Sequence, residues 1–136
     1  MIFALTPRRI RLLAALWTLG IVVAVTIPAS SVPDTPPDIG FDKIVHLIMF
    51  AGFGALWMEA LNTAPRSGEG WSMRQRLLLV GCIGLILAAG TEWVQHAFLS
   101  SRDGDLYDVA ANTIGLGAGI GWAVWRARVQ ARSAAS

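Results

Sequence analysis

The chain has 136 residues, of which 54% are hydrophobic and only 15% charged, with a formal net charge of +2. A soluble domain carries about 25% charged residues, and the mean hydropathy of +0.55 points away from that class. No basic face or aromatic-basic module is visible despite a pI near 9.3, so no nucleic-acid partner is expected.

The apolar excess is gathered into segments, each long enough for the roughly 20 residues that cross a hydrocarbon core. The first runs over 10–27, after a tail of 1–9 that carries Arg8 and Arg9, and stops at Pro28. With its basic start and Ala29-Ser30-Ser31 it also resembles a signal peptide. It is read as an uncleaved anchor, because the stretch is long for a signal core and keeping it leaves an even number of spans between two basic ends. A Pro- and Asp-containing stretch then reads as an irregular connection. The second span covers 43–61, the third 77–99 and the fourth 106–125, followed by a basic tail, 126–136. Runs such as Leu77-Leu78-Leu79-Val80 do not alternate, which disfavours a barrel and favours helices. Cys82, the single cysteine, lies inside an apolar run with no zinc-like partner and reads as a small buried apolar residue.

Cationic residues set the orientation. Arg8, Arg9, Arg11, Arg66, Arg74, Arg76, Arg126, Arg128 and Arg132 fall on one side, and only Lys43 and Arg102 on the other. The expected fold is therefore an all-α membrane bundle of four transmembrane helices with both termini cytoplasmic, multi-pass in the cell membrane. Trp57, Trp71, Trp122 and Trp125 fall near the cytoplasmic boundary, where indoles are favoured, although Trp57 and Trp122 could equally pack between helices. Gly115, Gly117, Gly119 and Gly121 form two overlapping small-xxx-small pairs on the fourth span. They suit close helix packing within the bundle, or a homodimer through that face.

The polar residues inside the spans are not scattered. Asp42 and His46 are four apart; Glu92 is followed at three and four by Gln95 and His96; Asp105 is followed at three and seven by Asp108 and Asn112. Each set lies along one helix face, at the outer end of its span. At 1.5 Å per residue, Glu92 sits about 10 Å inside Leu99, and His46 and Asn112 about 5–10 Å inside their own ends. Lys43 and Arg102 flank the same layer. Turning the three faces inward makes one polar pocket, with Asp42, Lys43, His46, Glu92, Gln95, Arg102, Asp105, Asp108 and Asn112 as its candidate ligand-binding residues. A structural network that fixes helix register would use the same residues, and Asp42 and Asp105 would then be helix caps. His96 could join the pocket or sit wetted at the interface. His46, Glu92 and Asp108 could converge, but their spacing is not a known ligand pattern, so no metal and no cofactor is expected. Glu59 reaches toward headgroups and is left out of the site. The apolar run from Leu77 to Ala89 disfavours an ion pathway.

At these residues the chain resembles the VanZ-like family of small bacterial membrane proteins. The matching stretches are Asp42-Lys43-Ile44-Val45-His46 with Gly52 and Gly54; Glu92-Trp93-Val94-Gln95, like the family's Glu-x-x-Gln; and Arg102, Asp105, Asp108, Asn112, Thr113 and Gly115, like its Arg followed by Asp-x-x-x-Asn-Thr-x-Gly. The likeness covers roughly 41–121. The family motif allows a small polar residue where this chain has Asp105, and His96 is not part of it. The founding member is associated with teicoplanin resistance, so the resemblance implies a protein of the bacterial cell envelope. Its expected partners are a membrane lipid headgroup, an envelope precursor or an amphiphilic glycopeptide antibiotic, bound without catalysis. The alternative is an enzyme acting on an envelope lipid, with His46 as base or nucleophile, Glu92 as acid or base, and Lys43 and Arg102 stabilising a phosphoryl transition state. No nucleophilic serine motif, HExxH or Walker loop specifies such chemistry.

Overall fold

A computed structural model of the chain describes residues 6–27, 40–62, 70–98 and 106–135. They form four helices: α1 (Pro7–Thr26), α2 (Phe41–Asn62), α3 (Met73–Phe98) and α4 (Leu106–Ser133). No strand occurs among the described residues. Three stretches are long and apolar enough to cross a membrane: Pro7–Thr26, Phe41–Asn62 and Met73–Ala97. The conceivable cleavage site at Ala29-Ser30-Ser31 lies outside the described residues.

Local chemistry explains the helix ends. Pro7 occupies the first turn of α1, where its missing N–H is no loss. Ile27, which precedes Pro28, is already extended, as a residue before proline prefers. Gly40 opens α2 in the left-handed region (φ 55°), and its carbonyl accepts from Lys43 N and Ile44 N. Asp42 therefore sits within the first turn of α2 rather than capping it. Ser72 and Gln75 make a reciprocal capping box at α3: Ser72 N donates to Gln75 Oε1 (2.8 Å) and Gln75 N to Ser72 Oγ (3.2 Å). Helix α4 continues to Ser133, past the apolar segment that ends at Trp125. The added residues are rich in Ala, Arg and Gln, which hold a helix without packing.

Consecutive helices alternate in direction. Ile10 and Ala14, early in α1, pack against Ala60, late in α2. Glu92 on α3 meets Asn112 on α4, while Gly84 faces Leu116. Helices α2 and α4 consequently run parallel, and theirs is the broadest contact in the bundle. It is close because of glycine: a Cβ on Gly115 would collide with the Leu47 carbonyl, and one on Gly119 with the Ala51 carbonyl. Gly54 returns the approach, since a Cβ added there would stand only 2.8 Å from Leu116 O. Gly117 and Gly121 face open space. The Gly115/Gly119 face is thus occupied by α2, within the bundle.

Helix α1 docks through two indoles. Trp17 lies over Gly52 and donates from Nε1 to Met49 O (2.8 Å). Trp57 donates to Thr18 Oγ1 (2.9 Å), so it packs between helices. Trp71, Trp122 and Trp125 are exposed, with the Arg126 guanidinium 5.4 Å from the Trp122 ring centre. The core gathers Ile21, Phe50, Phe53, Met58, Val80, Ala88, Leu116 and Ala123. Outward faces are apolar as well: Leu12, Leu19 and Ile86 are exposed, Ile86 by 72%. Cys82 is exposed too, which corrects the buried reading; its position on α3 turns it away from the core. Such a surface suits hydrocarbon, where apolar contact carries no penalty.

Helix α4 falls below the hydropathy of the other three because it carries Asp108, Asn112 and several glycines in place of larger apolar side chains, and of these Asp108, Asn112, Gly115 and Gly119 are buried. Gly119→Ala should destabilise the bundle by about 1–3 kcal/mol through overpacking, while Gly117→Ala should leave it unchanged or slightly firmer. Unfolding titrations of the two variants in mixed micelles measure the difference.

Candidate functional site

The alternation of directions brings the start of α2, the end of α3 and the start of α4 to one end of the bundle. His46, Thr91, Glu92, Gln95, Asp108 and Asn112 are all buried there. Asn112, with 0% exposure, is at the centre. The Leu47–Gly115 contact puts α2 and α4 at glycine-limited distance, and His46 and Asn112 sit just beside it.

The Asn112 amide bridges two partners. His46 Nδ1 donates to Asn112 Oδ1 (3.0 Å), and Asn112 Nδ2 donates to Glu92 Oε1 (3.5 Å). With its oxygen turned to the ring and its nitrogen to the carboxylate, Asn112 selects the His46 tautomer that carries the proton on Nδ1. The same Nδ1 stands 3.8 Å from Glu92 Oε1. Three helices are joined through one fully buried amide.

Lys43 forms the rim. Its Nζ lies 3.5 Å from Asp108 Oδ1 and 3.2 Å from Asp42 Oδ2. Asp42 and Lys43 are solvent-accessible, whereas the Asp108 side chain is only 13% exposed. The cluster is therefore graded, from an accessible ion pair above to an enclosed imidazole, carboxylate and amide layer below. Gln95 is one turn beyond Glu92 on the same face of α3 and is 3% exposed. Its amide nitrogen has no acceptor among the described residues.

Of the nine residues singled out by sequence, Asp42, Lys43, His46, Glu92, Asp108 and Asn112 are linked in this way, and Gln95 is buried beside Glu92. Arg102 and Asp105 lie outside the described residues. His96 is exposed and does not join the buried layer. Thr113 is exposed as well and bonds back to Val109 O (2.8 Å). Thr91, which the sequence did not single out, is buried but satisfied within its own helix by Ala88 O (2.8 Å). Glu59 belongs to the opposite end, where it lines a small cleft with Met58, Asn62, Met73 and Arg76.

One arrangement could not be read from spacing. Donor atoms of His46, Glu92 and Asp108 all fall within 4.8 Å of one another. The sequence allows these three to converge but, with no recognisable ligand motif among them, only the fold shows that they do.

Asn112→Leu should cost about 1–3 kcal/mol for each polar partner it leaves unsatisfied, while Thr113→Val, on an exposed face, should stay within about 0.5 kcal/mol of the parent. Unfolding midpoints in micelles compare them. No family model, curated protein or solved structure matches the chain.

Proposed function

We propose that this chain is a four-span protein of the bacterial cell membrane, VanZ-like in its motifs, that binds the anionic headgroup of a membrane lipid or lipid-linked envelope precursor at the outer end of its bundle. The observation that carries this reading is the graded cluster: an accessible Lys43 ammonium above a buried layer of His46, Glu92, Asp108 and Asn112 drawn from three helices. Burying such groups is costly even when they are paired, so they are retained where they serve register or function. An exposed cation at the rim meets an anionic group first, and buried amides and carboxylates then orient its polar atoms.

The topology follows the cations. Every arginine among the described residues lies at the start of α1 or α3, or toward the end of α4, which is one end of the bundle. The polar cluster and Lys43 lie at the other. The positive-inside tendency then puts both termini in the cytoplasm and the cluster outside. Helix α4 serves as the fourth span despite its lower hydropathy, because Asp108, Asn112, Gly115 and Gly119 are buried against its neighbours.

Two measurements test this. Reporter fusions after residue 135 and within 63–69 should read as cytoplasmic and those within 28–39 as external; a terminus on the outer side refutes the orientation. Native mass spectrometry should show phosphatidylglycerol retained in preference to phosphatidylcholine. Lys43→Gln should weaken that retention about fivefold, the equivalent of ~1 kcal/mol for one cation near an anionic lipid. Equal retention of both lipids by the parent chain counts against the headgroup reading.

A further inference from the structure

We infer that His46, Glu92 and Asp108 form a binding site for a single divalent transition-metal ion of the zinc class. The inference shares residues with the headgroup site above but needs no lipid, so each can fail alone.

The geometry comes first. Imidazole and two carboxylates are all metal-ligand groups, all three residues are buried, and their donor atoms lie within 4.8 Å of one another. Ligand atoms around a tetrahedral zinc at about 2.0–2.1 Å are about 3.3 Å apart. His46 Nδ1 stands 3.0 Å from Asn112 Oδ1 and 3.8 Å from Glu92 Oε1, which brackets that spacing. A cation about 2.0–2.1 Å from both His46 Nδ1 and Asn112 Oδ1 would sit beside the line their hydrogen bond now follows, in its place. Moving that proton to Nε2 frees the Nδ1 lone pair, and Asn112 Oδ1 becomes a further oxygen donor. With all three donor atoms within 4.8 Å, side-chain adjustments of up to about 1.5 Å bring Asp108 to the same ideal spacing.

The donor chemistry narrows the ion. An imidazole nitrogen selects against Mg2+ and Ca2+, which prefer oxygen shells, and two carboxylates select against Cu+. A dication would also offset two buried carboxylates at once.

A second observation points to an occupant. The Gln95 amide nitrogen, on the same face of α3 as Glu92, is buried with no acceptor among the described residues. A water completing the ion's coordination shell is such an acceptor. Lys43 works in the opposite sense. Its ammonium shares the Asp108 carboxylate at 3.5 Å, yet its side chain is 37% exposed and can swing outward.

The test uses the full chain in phosphatidylcholine nanodiscs, titrated with Co2+ as a spectroscopic stand-in. One equivalent should bind with visible d–d absorption, be displaced by Zn2+, and resist a large excess of Mg2+. His46→Ala and Asp108→Asn should weaken binding about 100-fold or more, beyond the loss seen on disturbing outer-shell partners. Lys43→Gln should bind Co2+ as well as the parent or more tightly, whereas its retention of phosphatidylglycerol weakens. Glu59→Gln, at the far end, should be unchanged. Absence of stoichiometric Co2+ binding by the parent chain overturns the inference without recourse to any variant. So does binding that survives His46→Ala in protein whose helical circular dichroism is intact.

Discussion

The parallel contact between α2 and α4 governs the rest of this structure. Two carbonyls of α2, at Leu47 and Ala51, rest where side chains on Gly115 and Gly119 would otherwise stand. Helices that approach this closely gain dispersion contacts along their whole length, which is the main attraction left to helices once surrounded by apolar chains. The same contact sets the register, so that His46 meets Asn112 and Lys43 meets Asp108. A shift of one residue along either helix would rotate these partners by about 100° and separate them. The small residues and the polar residues are thus two parts of one device, the first fixing the distance and the second the alignment.

Helix α3 plays a different part. It closes the cluster with Glu92 and Gln95 while turning Ile83, Leu85, Ile86 and Trp93 outward. Its contacts with α2 and α4 are fewer than theirs with each other, and Gly84 admits the Leu116 side chain at mid-depth. Helix α1 stands further away still, held to α2 by the Trp17 and Trp57 hydrogen bonds and by Ile10 and Ala14 against Ala60. A headgroup or a metal ion at the polar end would then be held by α2, α3 and α4, with α1 as a buttress.

Much of this was legible in the sequence, for a physical reason. In a chain that must satisfy its own backbone, long apolar runs have one regular solution, so the helices could be placed to within a few residues at most ends. The i, i+3 and i, i+4 spacings of Asp42/His46, Glu92/Gln95 and Asp108/Asn112 told which face each would present. Pairing was not legible. Nothing local indicates that His46 chooses Asn112, that Asn112 turns its nitrogen to Glu92, or that the Gly115/Gly119 pair is consumed by α2 while Gly117 and Gly121 stay open. These depend on helix rotation, which is decided by packing. The continuation of α4 beyond Trp125 was missed because an apolar window measures hydrocarbon crossing, whereas helical hydrogen bonding continues wherever propensity allows. Cys82 was misjudged for a related reason: in an apolar helix, composition does not distinguish the inward face from the outward one.

The placement of Asn112 on α4 bears on the order in which the bundle can close. His46 and Glu92 lie on α2 and α3, which precede α4 in the chain, so the amide that bridges them is the last of the three groups to be synthesised. Before α4 packs alongside α2, the imidazole and the carboxylate can meet only each other, across the 3.8 Å seen in the closed bundle, or water. The directional part of the network is therefore added last, and a folding intermediate of α2 and α3 alone would hold these helices with a looser register than the complete bundle.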